Sequence, residues 1–582
     1  MGAGGGLADV QPFGGAGQVL FIGDRDKRPE LHEIDKHAGV GRARPVSLVM
    51  ASRSPPRLLR DCSGIENAVS QKSPWSGLSS FPKLYPQTVH GQRAMPQRRQ
   101  MVTPSQEQAV PAGDAAGAAD FAEVLADFGA GLGLEALEAP VVQAVKTNVH
   151  DTLACAVAGS SAAGIAALRE LAGEWGGAPQ ATIWVHGLKV PAHHAAWVNG
   201  AMAHARDYDD THDAAVLHAG VSVVPAALAA AELAGGASGA DFIAAVAAGL
   251  ETICRLGVAT RIGIVESGYM YTSLFGHFAA TVAASRVLGL SPGQTLNAIG
   301  IGYSQVAGNH QVTRDGALTK RMQPGFAAKA ALVSAQMARR GIRGAQATFE
   351  GLDGFLRVYL RGACDRAALR EGLGRRYELL NLSYKPYPCC RLNHTGIDAV
   401  AALRRRHAIA PADIESLRVG LNRQAYEAVC TPPAVRRAPQ STVQAQFSLP
   451  YTVAAALVDG AVTLAHFEAD AWRREDLLAV AARVQPYVDD ALERDWGRGV
   501  SPALLELRLR DGTVLRERVD RPEGDPARPM TRAARDAKAG DCFAASALRF
   551  AADASGHLRD LVMGLETLGD VRELAAAMVA RR

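Results

Sequence analysis

The chain has 582 residues, of which 48% are hydrophobic and 21% are charged, a composition that excludes a mainly disordered or fibrous protein. The formal net charge is +4, but residues 1–100 hold 14 Lys and Arg against 8 Asp and Glu, leaving 48 basic against 50 acidic residues elsewhere. We therefore expect no nucleic-acid partner. The eight cysteines include no Cys-x-x-Cys pair and the start shows no signal-peptide pattern, so a reducing, cytoplasmic location is expected.

Residues 1–117 differ in texture from the rest of the chain. They contain Pro-, Ser- and Arg-rich tracts such as SRSPPRLLR and SQKSPWSGLSSFPKLYPQ, and no sustained apolar period. Such a segment buries too little apolar surface to offset the entropy that is lost on ordering. We therefore predict a disordered N-terminal extension over residues 1–117.

Residues 118–383 are rich in Ala, Leu and Val at helical spacing, and many of their apolar stretches end at Gly, as helices often do. They are predicted to form a helical domain of closely packed helices, with a short hairpin at ATIWVHGLKV. The longest apolar stretch, Ala214–Ala231, contains a His, a Gly and a Pro. This favours a buried helix over a membrane span, and no membrane association is expected.

Residues 384–525 are predicted to form a small α+β lid domain. The segments IESLRVGLN and ALLELRLRDGTVLRERV alternate apolar and polar residues, and Asp511-Gly512 is a strong hairpin signal. Residues 526–582 are helical again and are expected to return to the helical domain. The predicted fold class is mainly α, with a large all-helical domain and a smaller α+β lid.

The densest polar cluster runs from His204 to Asp213 and is followed by His218, inside an otherwise apolar stretch. If the cluster is helical, Asp207 and Thr211 lie four residues apart on one face. A solvated loop or helix start, with Asp and Thr as caps, would also explain the cluster. Like charges at this density repel one another unless a ligand or cations compensate them, so such clusters more often mark functional sites.

Three chemistries fit this cluster. Asp209-Asp210-x-x-Asp213 has the spacing of the magnesium motif of isoprenoid synthases, and His212-Asp213 could be the doublet of a metal phosphohydrolase. Both need further ligands, and the single candidate for a second acidic motif, Asp489–Glu493, falls in the predicted lid. The third chemistry is metal-free acid–base catalysis, in which His and Thr move protons and lysines bind carboxylates.

Two lysines favour the third chemistry, although a lone lysine is more often a surface residue. Lys320 stands where a polar stretch leads into an apolar helix, and Gly325 allows a close approach of that helix to a neighbour. Lys385 lies among prolines in SYKPYPCC, which restrict its backbone. An ammonium group stabilises a carboxylate or an enediolate without a metal. His277, between a Gly and an apolar helix, is either a core residue or a proton carrier.

Six stretches occur together, in the order of a known family, over roughly residues 120–582: AAWVNGAMAHARDYDDTHDAAVLHAG, FGHFAATVAASRVLGLS, NAIGIGYSQVAG, GALTKRMQPGFAAKAALVSAQMARRGIRGAQATFEGLDGF, KPYPCCRLNHTGIDAV and AQFSLPYTVAAALVDG. The chain resembles the MmgE/PrpD family, which includes 2-methylcitrate dehydratase, cis-aconitate decarboxylase and iminodisuccinate epimerase. The resemblance implies a helical domain with an α+β lid, a homodimer, no metal or organic cofactor, and a site in the cleft between the domains.

The resemblance also implies a set of site residues. The catalytic candidates are Asp207, Thr211, His218, His277, Lys320, Lys385 and Tyr451. The substrate-binding candidates are Lys320, Lys385, Cys390, Arg391 and His394. Cys390 stands where the decarboxylase has a His, and Phe275 and Phe278 flank His277 where Trp and Pro are common.

The predicted function is a metal-independent lyase that acts on a small di- or tricarboxylate by proton transfer next to a carboxylate. Lys320 and Lys385 would bind carboxylates and receive the enediolate charge, while His218 or His277 moves the proton and Asp207 orients its neighbour. A 2-methylcitrate dehydratase is placed first as the family's commonest label, with a cis-aconitate-type decarboxylase or an iminodisuccinate-type epimerase as alternatives. A magnesium-dependent isoprenoid synthase or phosphohydrolase and a non-catalytic helical scaffold are alternatives of another class.

Overall fold

A computed structural model describes residues 119–468, 470–495 and 499–580. The predicted N-terminal extension, residues 1–117, lies outside the described residues. Helices dominate the described chain, so the prediction of a mainly α fold is confirmed. One helix, Gly239–Ala259, is long and apolar enough to cross a membrane, but 94% of its apolar window is buried inside the fold, as it is in many core helices.

The first part of the described chain is almost entirely helical. Its helices are α1 (Phe121–Gly131), α2 (Ala139–Gly159), α3 (Ile165–Trp175), α4 (Ala192–Ala203), α5 (Gly220–Ala234), α6 (Gly239–Ala259), α7 (Ile264–Ser267), α8 (Tyr271–Val287), α9 (Pro292–Tyr303), α10 (Gln311–Arg314), α11 (Gln323–Arg339), α12 (Phe355–Val358) and α13 (Arg366–Arg370). Two short antiparallel strand pairs accompany them. The predicted hairpin joins β1 (Ala181–Ile183) to β2 (Leu188–Val190), and a second pair joins β3 (Thr211–His212) to β4 (Leu382–Ser383).

The larger of the apolar cores lies among these helices, and α6 runs through it. The side chain of Ser238 accepts a hydrogen bond from the backbone N–H of Asp241 and so caps the start of α6. Small residues let the neighbouring helices approach closely: a Cβ at Gly249 would lie 2.7 Å from a side-chain carbon of Val223 on α5. The larger core therefore depends on Ala and Gly at the contacts between helices.

A smaller apolar core follows, built on a mixed sheet of order β6-β5-β7-β8. Its strands are β5 (Ile414–Leu421), β6 (Val484–Val488), β7 (Ala503–Leu509) and β8 (Val514–Val519), and β5 pairs in parallel with β6. The predicted hairpin at Asp511-Gly512 joins β7 to β8, and Gly512 has the positive φ of 90° that such a turn uses. The helices of this part are α14 (His394–Arg406), α15 (Arg423–Cys430), α16 (Pro433–Arg437), α17 (Thr442–Gln446), α18 (Leu449–Asp459), α19 (Glu475–Ala481) and α20 (Asp490–Asp495).

The last helices return to the larger core, as predicted. They are α21 (Arg532–Ala544), α22 (Ala554–Met563) and α23 (Arg572–Ala577). Leu558 and Val562 of α22 and Leu574 of α23 are buried in the larger core, while α21 packs against α2. The domain boundaries expected at residues 384 and 525 stay predictions.

Candidate active site

Two local features bring distant parts of the chain to one place. Helices α4 and α11 cross where Gly200 meets Gly325, because a Cβ at Gly325 would lie 2.2 Å from the backbone oxygen of Trp197. The polar segment after α4 therefore lies close to the turn before α11, which carries Lys320. The pairing of Thr211 in β3 with Ser383 in β4 then brings the Lys385 segment to the same polar residues.

The centre of the site is one carboxylate shared by two lysines. Nζ of Lys320 lies 2.8 Å from Oδ1 of Asp207, and Nζ of Lys385 lies 3.5 Å from the same oxygen. Lys385 also donates a hydrogen bond to the backbone oxygen of Asp207 at 2.9 Å. Burial alone would raise the pKa of the Asp207 carboxyl, but the two ammonium groups hold it well below its ordinary value.

The backbone of this segment differs from the helical arrangement considered for Asp207 and Thr211. Asp207 has φ 54°, in the left-handed region, and Thr211 begins a strand. The i, i+4 spacing on a helix face is therefore wrong. Asp is one of the few residues with a Cβ that adopts this conformation readily, and the turn lets its carboxylate and its backbone oxygen both meet lysines.

A second carboxylate lies between two imidazoles. Oδ2 of Asp209 lies 2.8 Å from Nδ1 of His204 and 2.9 Å from Nδ1 of His218, and the two imidazole rings meet edge to face at 4.7 Å. Burial alone would raise the pKa of Asp209, but the two histidines hold it well below its ordinary value. Burial lowers the pKa of His204 to about 4, so this imidazole is neutral at pH 7.

Asp210, by contrast, anchors the next helix. Its Oδ2 and Oδ1 accept hydrogen bonds from the backbone N–H groups of Ala219 and Gly220 at 2.8 and 3.0 Å, at the start of α5. Its backbone oxygen lies 2.7 Å from Nδ1 of His218, which fixes that imidazole from a second side. Burial and the neighbouring Asp209 raise the pKa of Asp210 to about 6.

Asp213 contacts two further candidate residues, Thr211 and Arg391. The hydroxyl groups of Thr211 and Ser383 each donate to its carboxylate at 2.7 Å, and Nε of Arg391 lies 3.3 Å from it. Arg391 reaches His394 as well, with Nη1 3.2 Å from Nδ1 of the imidazole. Thr211 and Arg391 are thus joined through a carboxylate that the sequence analysis treated only as a metal ligand.

These contacts are inconsistent with a magnesium motif. The carboxylates of Asp209, Asp210 and Asp213 have separate partners: two imidazoles, a helix N-terminus, and a set of two hydroxyl groups and a guanidinium. No common point is left for the Asp-Asp-x-x-Asp motif to hold one cation. The donor atoms of His204, Asp209 and His218 lie within 4.8 Å of one another, a set that suits a transition metal better than magnesium.

Cys390 and His394 lie beside Arg391, in the group of residues around Asp213. The backbone N–H of Cys390 donates to the backbone oxygen of Gln446 at 3.0 Å, and burial raises the pKa of its thiol to about 11, so the thiol is neutral at pH 7. Burial and the neighbouring Arg391 lower the pKa of His394 well below its ordinary value. Both side chains are therefore uncharged groups next to a cationic region.

His277 and Tyr451 are not brought into these contacts. Nδ1 of His277 donates to the backbone oxygen of Ser273 at 2.8 Å, and burial lowers the pKa of His277 to about 4. The hydroxyl of Tyr451 donates to the backbone oxygen of His466 at 2.7 Å, inside the smaller core. Neither side chain makes a hydrogen bond with the Asp207–lysine group within the described ranges, and their catalytic roles stay predictions.

A narrow crevice lies beside the ammonium group of Lys320. It is lined by His204, Lys320 and Arg321 on one side and by Val443, Gln446 and Phe447 on the other. Sequence reasoning missed Arg321, although it directly follows Lys320, and it missed Asp209 as the partner of His218. It also missed the wall around α17, whose residues have no chemistry that would single them out.

The site combines two buried ammonium groups that contact one carboxylate with a second carboxylate that lies between two imidazoles. This arrangement suits acid–base chemistry on an anionic substrate. Such a site defines the class of the protein as an enzyme that acts on organic acids. The family model described as MmgE/PrpD N-terminal domain matches residues 123–366, and the MmgE/PrpD C-terminal domain matches residues 387–554. The chain belongs to the MmgE/PrpD family.

Curated relatives agree with this membership. A cis-aconitate decarboxylase of Aspergillus terreus is 29% identical over 357 residues, which cover 58% of this chain and 72% of that protein. A cis-aconitate decarboxylase-like protein of Aspergillus oryzae is 28% identical over 462 residues (76% and 93%). The cis-aconitate decarboxylase of Homo sapiens is 25% identical over 450 residues (75% and 90%).

Family and reaction class are settled by these findings. The predictions of an MmgE/PrpD protein, of a lyase and of a small carboxylic acid as the substrate are confirmed. The 2-methylcitrate dehydratase that the sequence analysis placed first is not confirmed, and the decarboxylase that it named as an alternative fits the relatives better.

Proposed function

We propose that the protein is a decarboxylase of a small unsaturated tricarboxylate of the cis-aconitate type. The observation that carries the proposal is the convergence of Lys320 and Lys385 on Asp207, next to the imidazole of His218. The names of the relatives support decarboxylation over dehydration. The cytoplasmic location and the homodimer stay predictions.

The two lysines supply the charge that the reaction needs. When CO₂ leaves, the electron pair of the broken C–C bond stays on the substrate and spreads towards a remaining carboxylate. Lys385, at 1% exposure, and Lys320, at 8%, are close enough to each other, through Asp207, to bind that carboxylate and stabilise the added charge. Preorganised cations in a site with little water stabilise such a charge strongly because they need no reorientation.

His218 is suited to return a proton to carbon. Its Nδ1 lies between Oδ2 of Asp209 and the backbone oxygen of Asp210, which fixes the ring and leaves Nε2 for the substrate. A proton given from Nε2 to the carbanion balances the loss of CO₂, and Asp209 stabilises the imidazolium that must form first. Cys390 stands where the decarboxylase has a His, and its neutral thiol leaves this task to His218.

The experiment is incubation of the full chain in D₂O with cis-aconitate, 2-methylcitrate, citrate and iminodisuccinate, followed by NMR and by measurement of released CO₂. We expect CO₂ from cis-aconitate alone, with one deuterium in each product molecule. The Lys385→Met variant is the negative control. Water loss from 2-methylcitrate without CO₂ would restore the dehydratase, and deuterium exchange without net reaction would indicate an epimerase.

A further inference from the structure

Arg321 is a buried cation that lacks a partner. Its side chain is 6% exposed on the turn Leu318–Met322, and it makes no hydrogen bond or ion pair with any residue in the described part of the chain. The other buried arginines have partners. Arg255 pairs with Glu251 at 2.6 Å and donates to several backbone oxygens, and Arg206 pairs with Glu468 at 3.1 Å. A buried charge without a partner is costly, so the exception calls for a function.

The surroundings of Arg321 are short of negative charge. The carboxylate that acts on it, Asp207, is already paired with Lys320 and Lys385. Burial, together with the neighbouring Arg206, lowers the pKa of Arg321 to about 10, which still leaves it cationic at pH 7. Lys320, Lys385 and Arg321 therefore share the charge of one carboxylate, Asp207, and an anionic ligand would reduce this imbalance.

The position of Arg321 indicates where such a ligand would bind. Arg321 lines the crevice directly after Lys320, with His204 beside it and Gln446 and Phe447 opposite. A guanidinium binds a carboxylate through two parallel hydrogen bonds, a geometry that an ammonium group cannot reproduce. The turn thus presents two cations of different geometry to the same narrow space.

We propose that Arg321 binds a further carboxylate of the substrate, next to the one bound by Lys320 and Lys385, and makes the enzyme selective for tricarboxylates over dicarboxylates. This inference rests on the proposed function and names the feature of the substrate that is recognised. The lysines hold the carboxylate that receives the charge of the reaction. Arg321 holds one that takes no part in it and fixes the orientation of the substrate.

The test compares two unreactive ligands that differ by one carboxylate, propane-1,2,3-tricarboxylate and glutarate, by calorimetric titration of the full chain. The wild type should bind the tricarboxylate more tightly. Arg321→Met should weaken tricarboxylate binding by about 30-fold or more, and glutarate binding by less than about 3-fold. Arg321→Lys, which keeps the charge but loses the two-pronged geometry, should lie between. Arg314→Met, at an exposed position on α10, is the matched control and should bind both ligands as the wild type does.

Two further results decide the inference. Thermal melting of ligand-free Arg321→Met should equal or exceed that of the wild type, because the removed cation has no partner to leave behind. If Arg321→Met weakened the binding of both ligands equally, or left tricarboxylate binding unchanged, the inference would be wrong. The proposed function would still stand if the wild type released CO₂ from cis-aconitate. If the wild type bound neither ligand and released no CO₂, both would be wrong.

Discussion

Asp209 offers the sharpest test of how the site moves a proton. Asp209→Asn keeps the size of the side chain but removes the negative charge that lies 2.8 Å from His204 and 2.9 Å from His218. The amide can still accept a hydrogen bond, so the rings can keep their places. What it cannot do is stabilise the imidazolium of His218, from which the proposed mechanism takes its proton.

The size of the effect follows from the contact distance. With charge centres about 4 Å apart and an effective dielectric constant of about 20, an imidazolium and a carboxylate attract each other by about 4 kcal/mol. Since about 1.4 kcal/mol changes a rate tenfold, complete loss of this attraction would lower kcat by about 1000-fold. The remaining hydrogen bond offsets part of the loss, and we expect a decrease in kcat of about 100- to 1000-fold. KM should change little, because the lysines that bind the substrate are untouched.

The assay is the pH profile of kcat for CO₂ release, measured for the wild type, Asp209→Asn and a buried control. Glu251→Gln serves as the control, because Glu251 is also fully buried and pairs with Arg255 in α6, in a different ion pair. The control should lower thermal stability without changing the pH profile. A folded Asp209→Asn variant with kcat within about 5-fold of the wild type would refute the reasoning, since the electrostatic argument demands far more.

Three further predictions concern charge, metal and pH. Lys385→Ala should lower kcat/KM by about 100-fold or more, because it removes a buried cation from the reacting carboxylate, and a rate equal to the wild type would exclude Lys385 from the mechanism. Exhaustive dialysis against EDTA should leave CO₂ release unchanged, and activity lost and then restored by a divalent ion would contradict metal-free chemistry at His204, Asp209 and His218. Burial lowers the pKa of His150, like that of His204, to about 4. Between pH 6.5 and 4 the unfolded chain binds protons at these histidines that the folded chain does not bind. The free energy of unfolding should therefore decrease as the pH is lowered through this range. In urea unfolding, His150→Gln should reduce this slope by about 1.4 kcal/mol per pH unit, and an unchanged slope would contradict the lowered pKa.

Much of the fold could be predicted because it follows from local patterns. Apolar residues at helical spacing identify the helices, and alternation around Asp511-Gly512 identifies the hairpin between β7 and β8. The two lysines could also be singled out, because each lies in a recognisable segment, and their catalytic role stays a prediction. Their meeting at Asp207 joins positions 113 and 178 residues apart, and only the resemblance to a family suggested it.

The remaining features of the site depend on tertiary contacts, which local sequence patterns do not predict. The spacing of Asp207 and Thr211 fits one face of a helix, but in the folded chain Asp207 lies in the left-handed region instead. Asp209, Asp210 and Asp213 look alike in sequence, and only their separate partners distinguish the carboxylate that lies between two imidazoles from the one that caps a helix. Arg321 carries no signal of its own, because the property that matters is the lack of a partner after folding.

The walls of the crevice belong to two different parts of the fold. Lys320 and Arg321 belong to the turn before α11, whereas Gln446 and Phe447 belong to the part of the chain built around the smaller core, and little space separates them. A movement of α17 away from this turn would widen the path of an organic acid to the cations, and motions of this kind take microseconds to milliseconds. If such an opening limits turnover, kcat for CO₂ release will fall as solvent viscosity rises, whereas a rate limited by bond breaking will not change.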